Sequence, residues 1–366
     1  MFIVVGILML LIYGLLVYYI GQTLWKWMSP KSSTLFKVLY IVVLTVVATS
    51  FISGRFLGNL TVLNIIGSYW MAVFYVLIIL LPILHVGLWV IRLTAFRGRN
   101  MEKIAGYVAI IVMVLVIGYG SFNAYSPTVR SYDIQIAKKA GSLDELNIVM
   151  ASDMHFGLLS GKAHAERMVQ EINALKPDMV LFPGDIIDDD LDAYLHQGID
   201  QILAGVTAPY GVYGSLGNHD RFEGEITELI DVLERSGMTI LYDETLAIDD
   251  LTLVGRRDKQ DKNRAELSSI MQDTDLQKPV ILLDHQPNAL GEAEQQGVDL
   301  VVSGHTHRGQ VFPAHLITQA MFENDWGYLQ KGQLHSIVSS GYGFWGPPIR
   351  LGSRSEIVQI KVKFGP

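Results

Sequence analysis

Seven side chains that lie in five short motifs of this sequence have the chemical types that bind divalent metal ions in proteins: carboxylates, imidazoles and one carboxamide. They are Asp153, His155, Asp185, Asn218, His285, His305 and His307. The chain contains no cysteine, which excludes disulfides, thiolate zinc sites and cysteine nucleophiles. Oxygen and nitrogen ligands without sulfur favour cations such as Mn, Fe, Zn or Mg. The residue types therefore indicate a site for divalent metal ions.

A set of this size is large enough for two cations. Two cations close together need an anionic bridge, and Asp185 can supply it. In an extended backbone Asp153 and His155 would project to the same side, and His305 and His307 have the same spacing. Two metals ~3.5–4 Å apart hold the attacking and leaving oxygens in phosphoryl displacement and make hydroxide available near neutral pH. The sequence has neither a Ser/His/Asp triad pattern nor a Walker-type loop, so metal-activated water is the remaining nucleophile.

Short apolar runs of the kind typical of buried strands precede all of these residues. The runs cover residues 146–150, 179–182, 211–216, 280–283 and 300–302. Helical patterns at about 162–175 and 191–204 lie between the first three of these runs. The partial alternation of residues 129–136 predicts an earlier strand. In open α/β folds ligands gather beyond the carboxyl ends of the strands. We therefore expect five separate segments to converge on one edge of an α/β domain.

Each motif taken singly has an ordinary structural explanation. Asp-x-His could lie in a solvated loop, Gly-Asp could form a turn or a helix cap, and Asn-His-Asp could form a turn with an Asx cap. His-Thr-His alone could have no metal-binding role. All five occur in order, each at the end of an apolar run, and five of the ten histidines lie within them. Their joint occurrence favours one shared metal site over five unrelated explanations.

The order Asp-x-His, Gly-Asp, Gly-Asn-His-Asp, His and Gly-His-x-His resembles the calcineurin-like metallophosphoesterase family, matched in full from Asp153 to His307. The likeness continues through Ser-Ser-Gly-Tyr-Gly-Phe-Trp-Gly-Pro-Pro at 339–348. With four apolar segments before it, the domain is most similar to transmembrane proteins with a metallophosphoesterase domain. The resemblance implies a four-layer α/β/β/α sandwich with the metals at its edge.

The resemblance also implies a role for each matching position. Asp153, His155 and His307 would bind one metal, and Asn218, His285 and His305 the other, with Asp185 bridging them. His219 would contact the phosphate and protonate or stabilise the leaving oxygen, with Asp220 orienting it. Many relatives have Gly-Gly-Gln after the last histidine, where this chain has Arg308-Gly309-Gln310. Arg308 either binds phosphate or faces solvent.

The N-terminal third has the composition of a membrane domain. Four apolar stretches, at 2–20, 36–54, 66–91 and 104–122, suit a bilayer core that takes about 20 helical residues to cross. The third belongs to a run of about 60–91, too short for two crossings but long enough for one tilted helix. The first lacks the basic start and the cleavage site of a signal peptide. We predict a membrane domain at 1–122, a linker with a possible first strand at 123–145, and a metallophosphoesterase domain at 146–366.

Charge separates these parts further. Eight basic side chains and one acid precede residue 123, and the remaining 20 bases and 35 acids give the rest of the chain a net charge of −15. An acidic domain lacks the field that attracts a polyanion, so nucleic acid is not an expected partner. Two loops hold most of the N-terminal bases: Lys26, Lys31 and Lys37 in one, and Arg92, Arg97, Arg99 and Lys103 in the other. The positive-inside rule places both loops in the cytoplasm, and therefore the C-terminal domain outside it.

These observations predict a multi-pass cell-membrane protein with an extracytoplasmic two-metal phosphoesterase that hydrolyses a phosphomonoester, phosphodiester or pyrophosphate. Membrane attachment favours a lipid phosphate, a lipid-linked sugar or an envelope polymer as the substrate, with the bilayer as the other partner. Aromatic side chains either line a site for such a group or pack within the sandwich: Trp326, Tyr328, Tyr342, Phe344 and Trp345. The alternatives are an inactive sensor or scaffold, which would show eroded ligand positions, and a nuclease. His85, the one ionisable side chain well inside a predicted span, either packs in the bundle or has a lipid or proton role.

Overall fold

The computed structural model of the protein describes residues 2–28, 33–56, 60–94, 98, 100–220 and 226–365. These residues form two compact units. One consists of Met1–Ser121 together with Gly346–Ile349, and the other of Phe122–Trp345 together with Arg350–Pro366.

Four long helices make up the first unit: α1 Phe2–Met28, α2 Thr34–Phe56, α3 Thr61–Arg92 and α4 Met101–Tyr125. All four are long and apolar enough to cross a membrane, which confirms the four predicted spans. The run at 60–91 is one helix of 32 residues with Pro82 inside it, as expected. Large apolar side chains such as Leu8, Leu11 and Val43 are more than half exposed. Such surfaces are costly in water and suit helices that face lipid.

His85 has neighbours that satisfy its ring within the helical unit. Its Nδ1 lies 2.8 Å from the Leu81 carbonyl oxygen and 3.1 Å from the Tyr19 hydroxyl. The Trp27 ring lies beside it, with the two centroids 4.8 Å apart. These contacts favour the packing explanation. Of the basic residues behind the topology prediction, Lys31, Arg97 and Arg99 lie outside the described residues, and the side of the membrane stays a prediction.

The second unit contains two six-stranded mixed sheets. The first has the order β1-β12-β2-β3-β4-β5, and the second β10-β11-β9-β8-β7-β6. The first sheet comprises β1 Thr128–Ile136, β2 Glu145–Met150, β3 Met179–Pro183, β4 Val212–Ser215, β5 Thr239–Ile240 and β12 Glu356–Phe364. The second comprises β6 Glu244–Ile248, β7 Leu251–Gly255, β8 Val280–Leu283, β9 Leu300–Ser303, β10 Gly327–Lys331 and β11 Leu334–Val338. β2, β3 and β4 are parallel neighbours, as are β7, β8 and β9.

Alternate side chains of the central strands enter different cores. On β2, Ile148 faces the core between the sheets, while Val149 faces the helices. Helices cover the outer face of each sheet: α5 Lys162–Ala174, α6 Leu191–His196, α7 Ile199–Leu203 and α8 Ile226–Arg235 with the first, α9 Leu267–Ile270 and α10 Leu290–Gln295 with the second. Burial on both faces accounts for the continuous apolar runs. The predicted α/β/β/α sandwich is confirmed.

Most predicted elements occur where the sequence pattern places them, including the strand at 129–136, which is β1. The prediction of a single helix at 191–204 is wrong. The segment forms two short helices, α6 and α7, separated by Gly198 with φ +64°. A left-handed residue interrupts the helical hydrogen-bond ladder, and glycine adopts it without steric cost.

Candidate metal centre

The loops after β2, β3, β4, β8 and β9 converge at one edge of the two sheets and bring the sequence-predicted side chains together. One group of ligating atoms comes from Asp153, His155 and His307, and another from Asp185, His285 and His305. In each group these atoms lie within 4.8 Å of one another. The loops therefore place two candidate metal-binding groups side by side.

In the first group two imidazoles face each other. His155 Nε2 lies 3.1 Å from His307 Nε2, and Asp153 Oδ1 lies 3.4 Å from that same His307 nitrogen. All three side chains are buried. Two ring nitrogens directed at one point beside a carboxylate suit a shared cation.

Asp185 lies between the two groups. Its Oδ2 is 3.0 Å from His285 Nε2 and 3.7 Å from His155 Nε2. His285 Nδ1 is 2.9 Å from the Pro183 carbonyl oxygen. Because a carbonyl only accepts, Nδ1 donates to it, and Nε2 is the nitrogen directed at Asp185. The geometry fits a carboxylate shared by two cations.

One buried polar atom at the site, Asn218 Oδ1, has no hydrogen-bond partner among the described residues. A buried polar atom without a partner carries the full cost of its desolvation. A cation between the loops would satisfy this atom. Together with the two groups of ligating atoms, it shows that the residues present fit two divalent metal ions.

Five of the predicted ligands have left-handed backbone conformations. Their φ angles are +50° at Asp153, +44° at His155, +52° at Asp185, +70° at His305 and +47° at His307. The expectation of an extended backbone is therefore wrong, although Asp153 and His155 do fall in one group. His305 and His307 fall in different groups. Non-glycine residues in this region are strained, and such strain concentrates at functional sites.

Glycines allow the loops to approach so closely. A Cβ at Gly217 would collide with the carboxylate of Asp185, and one at Gly304 would collide with that of Asp153. Each glycine directly precedes a predicted ligand, Asn218 or His305. The glycines of both motifs are therefore required by the spacing of the carboxylates.

Hydrogen bonds hold the two central carboxylates in place. Asp185 Oδ1 accepts from the His219 backbone N–H at 2.7 Å, and Asp153 Oδ1 accepts from the His305 N–H at 2.8 Å. Ser152 Oγ donates to Asp153 Oδ2 at 2.5 Å. Partners of this kind orient metal ligands and limit their alternatives.

The charges of these groups depend strongly on one another. Burial alone would raise the pKa of Asp185, but His285 and His155 hold it well below its usual range. Burial would lower the pKa of His285, but Asp185 and Asp153 outweigh it and raise the pKa to about 10. Burial and the nearby His285 lower the pKa of His305 to about 4. The site thus combines an anionic carboxylate that attracts cations with a neutral imidazole that offers a lone pair.

His219 is held by a residue other than the predicted one. Its Nδ1 lies 3.0 Å from Asp189 Oδ2. Both oxygens of Asp220 instead accept backbone N–H groups, from Ile186, Ile187 and Gly217. The carboxylate expected to orient His219 therefore fastens the loop backbones, and the ring itself is contacted by Asp189. Burial would lower the pKa of His219, but the bond to Asp189 and the charge of Asp185 raise it.

Arg308 does not extend freely into solvent. Its guanidinium lies over the Trp326 ring, 3.8 Å from the centroid, as in a cation–π contact. Tyr342 and Phe344 are buried, which favours packing for those two aromatics. Trp345 is 56% exposed, and its ring centroid is 5.7 Å from that of His219. Of the five aromatics, Trp345 is thus the one beside the catalytic candidate.

Sequence reasoning missed three residues of the site. Asp188 Oδ1 lies 3.3 Å from His155 Nδ1, and Asp189 holds His219. Their signal was the acidic run 188–190, three residues beyond Asp185. Arg350 is fully buried, and its Nη2 lies 3.1 Å from His307 Nδ1 while donating to Gly343 O at 2.6 Å. An arginine in a C-terminal loop gave no signal of that contact.

Comparisons with known proteins agree with this geometry. The family model described as calcineurin-like phosphoesterase matches residues 146–309. An uncharacterised metallophosphoesterase of Aquifex aeolicus is 32% identical, over 69% of this chain and 98% of that protein. One of Campylobacter jejuni is 29% identical over 99% of both chains. A transmembrane protein with a metallophosphoesterase domain from Danio rerio is 29% identical, over 73% of this chain and 66% of its own length.

Proposed function

Because the chain belongs to the calcineurin-like metallophosphoesterase family, we propose that it is a membrane-anchored phosphoesterase that uses two divalent cations. The observation that carries this proposal is the pair of ligand groups on either side of Asp185. Intact ligand positions, together with the partnerless Asn218 Oδ1, favour an active enzyme over an inactive scaffold.

Each ligand position has a proposed role. Asp153, His155 and His307 would hold one cation and Asn218, His285 and His305 the other, and Asp185 would be shared between them. When bound, the cations would activate a water molecule and neutralise charge on the phosphoryl oxygens. Their identity among Mn, Fe, Zn and Mg is left open by an oxygen and nitrogen donor set.

His219 supplies the proton for the leaving oxygen in this proposal. Asp189 accepts from its Nδ1 at 3.0 Å, which leaves Nε2 for the substrate. The raised pKa of the ring keeps it protonated closer to neutral pH. Asp220 contributes by fixing the loop that carries His219.

Arg308 is proposed to bind the phosphate. Its guanidinium carbon lies 3.8 Å from the centroid of the Trp326 ring, and this contact limits the positions that the side chain can take. The N–H groups of a guanidinium recognise phosphate in pairs. The residue lies directly after His307, which is part of the candidate metal centre.

The proposed substrate is a phosphorylated lipid or a lipid-linked sugar on the outer side of the membrane. Strand β1 begins three residues after α4 ends, so only a short connection joins the metal-bearing unit to the last candidate membrane span. The distribution of Lys and Arg favours the outer side. The acidity of residues 123–366 disfavours nucleic acid.

Hydrolysis of bis-p-nitrophenyl phosphate and p-nitrophenyl phosphate by the purified full chain tests the reaction class. We expect turnover with Mn²⁺ and loss of it in Asp185→Ala. Asp273→Ala, which changes an exposed carboxylate elsewhere, is the matched control. Absence of turnover with each of Mn, Fe, Zn and Mg, in a folded chain with bound metal, would contradict the proposal.

A further inference from the structure

A short helix beside the metal centre presents apolar side chains to its surroundings. This helix is α11, His315–Met321. Phe312, Leu316, Ile317 and Met321 are 58–68% exposed. We call these four residues the apolar stripe.

Three of the four stripe residues share one face of the helix. Positions 316, 317 and 321 have the spacing of a single helical surface, and Phe312 precedes the helix. The helix is attached to its unit by Thr318, whose Oγ1 donates to Asp325 Oδ2 at 2.8 Å, and by Phe322 at its end, whose ring centroid lies 6.0 Å from that of His305. The helix therefore turns its apolar face outward, the reverse of the usual arrangement.

The composition of the segment matches that exposure. Residues 311–322 read Val-Phe-Pro-Ala-His-Leu-Ile-Thr-Gln-Ala-Met-Phe and contain no Asp, Glu, Lys or Arg. A protein surface in water normally alternates charged groups with its apolar ones. An uncharged, exposed apolar face marks a contact with an apolar partner.

The stripe is continuous with the metal centre on one side. The segment begins four residues after His307, and Thr306 Oγ1 donates to Asp325 O at 2.6 Å just beyond α11. A molecule held against the stripe would therefore have its polar end close to the loops of the candidate metal centre.

On its other side the segment is fastened within its own unit. Gln310 and Trp345 exchange two hydrogen bonds, at 2.9 and 3.0 Å, and the Phe312 N–H donates to Leu351 O at 2.6 Å. The stripe is therefore held in place by the unit that contains the candidate metal centre.

We propose that the apolar stripe inserts into the interfacial layer of the bilayer that holds the four helices. Insertion requires apolar side chains without charge, which the stripe supplies. A stable protein interface takes about 20–30 residues a side, far more than the stripe offers to a second copy. The consequence for substrate access rests on the proposed function, because insertion would bring a lipid headgroup to the metal centre.

The absence of cysteine makes a direct test possible. Single cysteines at Leu316, Ile317 and Met321, labelled with an environment-sensitive fluorophore, are placed in the full chain in nanodiscs of zwitterionic lipid. We expect blue-shifted emission and quenching by brominated lipid at all three positions. Leu276→Cys, an exposed leucine of the same unit, is the matched control and should show neither.

Three outcomes would overturn the proposal. One is the absence of quenching at the stripe, and another is equal quenching at Leu276→Cys. The third is a blue shift that requires two copies per disc, which would assign the stripe to a protein contact. Because the unit is acidic, we also expect no increase in quenching when anionic lipid is added.

Activity separates this inference from the proposed function. Ile317→Lys should lose turnover of a phosphorylated lipid in vesicles while keeping turnover of bis-p-nitrophenyl phosphate. Equal loss on both substrates in a chain with unchanged Tm would contradict the role of the stripe in substrate access. Failure of the unsubstituted chain on both substrates would contradict the proposed function, while the fluorescence result would stand independently of it.

Discussion

At the scale of single residues, His219 is the group whose contribution can be separated from that of the metals. If its ring protonates the leaving oxygen, its contribution to the rate depends on the pKa of the leaving group. We expect His219→Gln to lose about 10²–10⁴-fold in kcat on an alkyl phosphate ester. The loss should be much smaller on a p-nitrophenyl ester, whose leaving group departs unprotonated.

The metal content of the variant provides the control. His219→Gln should retain the same bound metal as the unsubstituted chain, because His219 belongs to neither of the two groups that are proposed to hold the cations. Asp189→Asn should reproduce the leaving-group dependence in weaker form, since it alters only the partner of Nδ1. Equal losses on both esters would contradict proton donation by His219.

At the scale of elements, the glycines that precede the ligands test how tightly the loops are packed. Gly217→Ala would place a Cβ against the Asp185 carboxylate, so either the carboxylate or the β4 loop must move. We expect loss of bound metal and of activity, together with about 1–3 kcal/mol of stability. Metal analysis and thermal unfolding of the full chain measure both.

A glycine of the same unit supplies the comparison. Gly291 lies in α10, and the nearest atom to its added Cβ is the tip of the Lys331 side chain, 3.9 Å away. Gly291→Ala should retain metal and match or slightly exceed the original stability, because alanine is the better helix former. Full metal content in Gly217→Ala would show that the loops have more room than the structure indicates.

The packing of α5 predicts a pH dependence of stability. His164 on this helix is buried, with its Nε2 3.3 Å from the Tyr342 carbonyl oxygen. Burial lowers the pKa of His164 to about 4, against about 6.5 in an unfolded chain. Between these values the unfolded state binds more protons, so stability falls as pH is lowered from 6.5 towards 4.

Replacing this histidine isolates its share of the effect. His164→Leu should lose part of the pH dependence of Tm between pH 7 and 4.5, corresponding to about 1–3 kcal/mol. The metal-site histidines contribute equally to both proteins and cancel in the difference. Identical slopes in the two proteins would show that His164 is accessible to protons in the folded state.

The sequence predicted those elements whose signal is local. Apolar runs of three to six residues predicted the central strands, and the ligands followed because strand ends carry the loops of an α/β sheet. The break at Gly198 was missed because the apolar pattern continues through it. Left-handed backbone at Asp153 and His155 depends on contacts between distant loops, such as Asp153 N–H with Gly184 O. Arg350 was missed for the same reason, since its partners lie across the fold.

At the scale of the whole molecule, the distribution of charge predicts which side of the membrane holds the metal centre. The acidic C-terminal part carries −15 by the sequence count, whereas the loops assigned to the cytoplasm are basic. Basic loops are retained in the cytoplasm, and four crossings return the chain to the outer side. The orientation also decides which lipids the enzyme can reach, because headgroups do not cross the bilayer readily.

The absence of cysteine turns this orientation into a clean labelling experiment. Leu276→Cys, exposed on the metal-bearing unit, should react with a membrane-impermeant maleimide on intact cells. Gly98→Cys, in the basic loop between α3 and α4, should react only after the membrane is permeabilised. The reverse pattern would place the metal centre in the cytoplasm and direct the search to inner-leaflet and soluble phosphates. Labelling of both positions on intact cells would instead imply that α4 does not cross the membrane, because α4 is the candidate span that separates them.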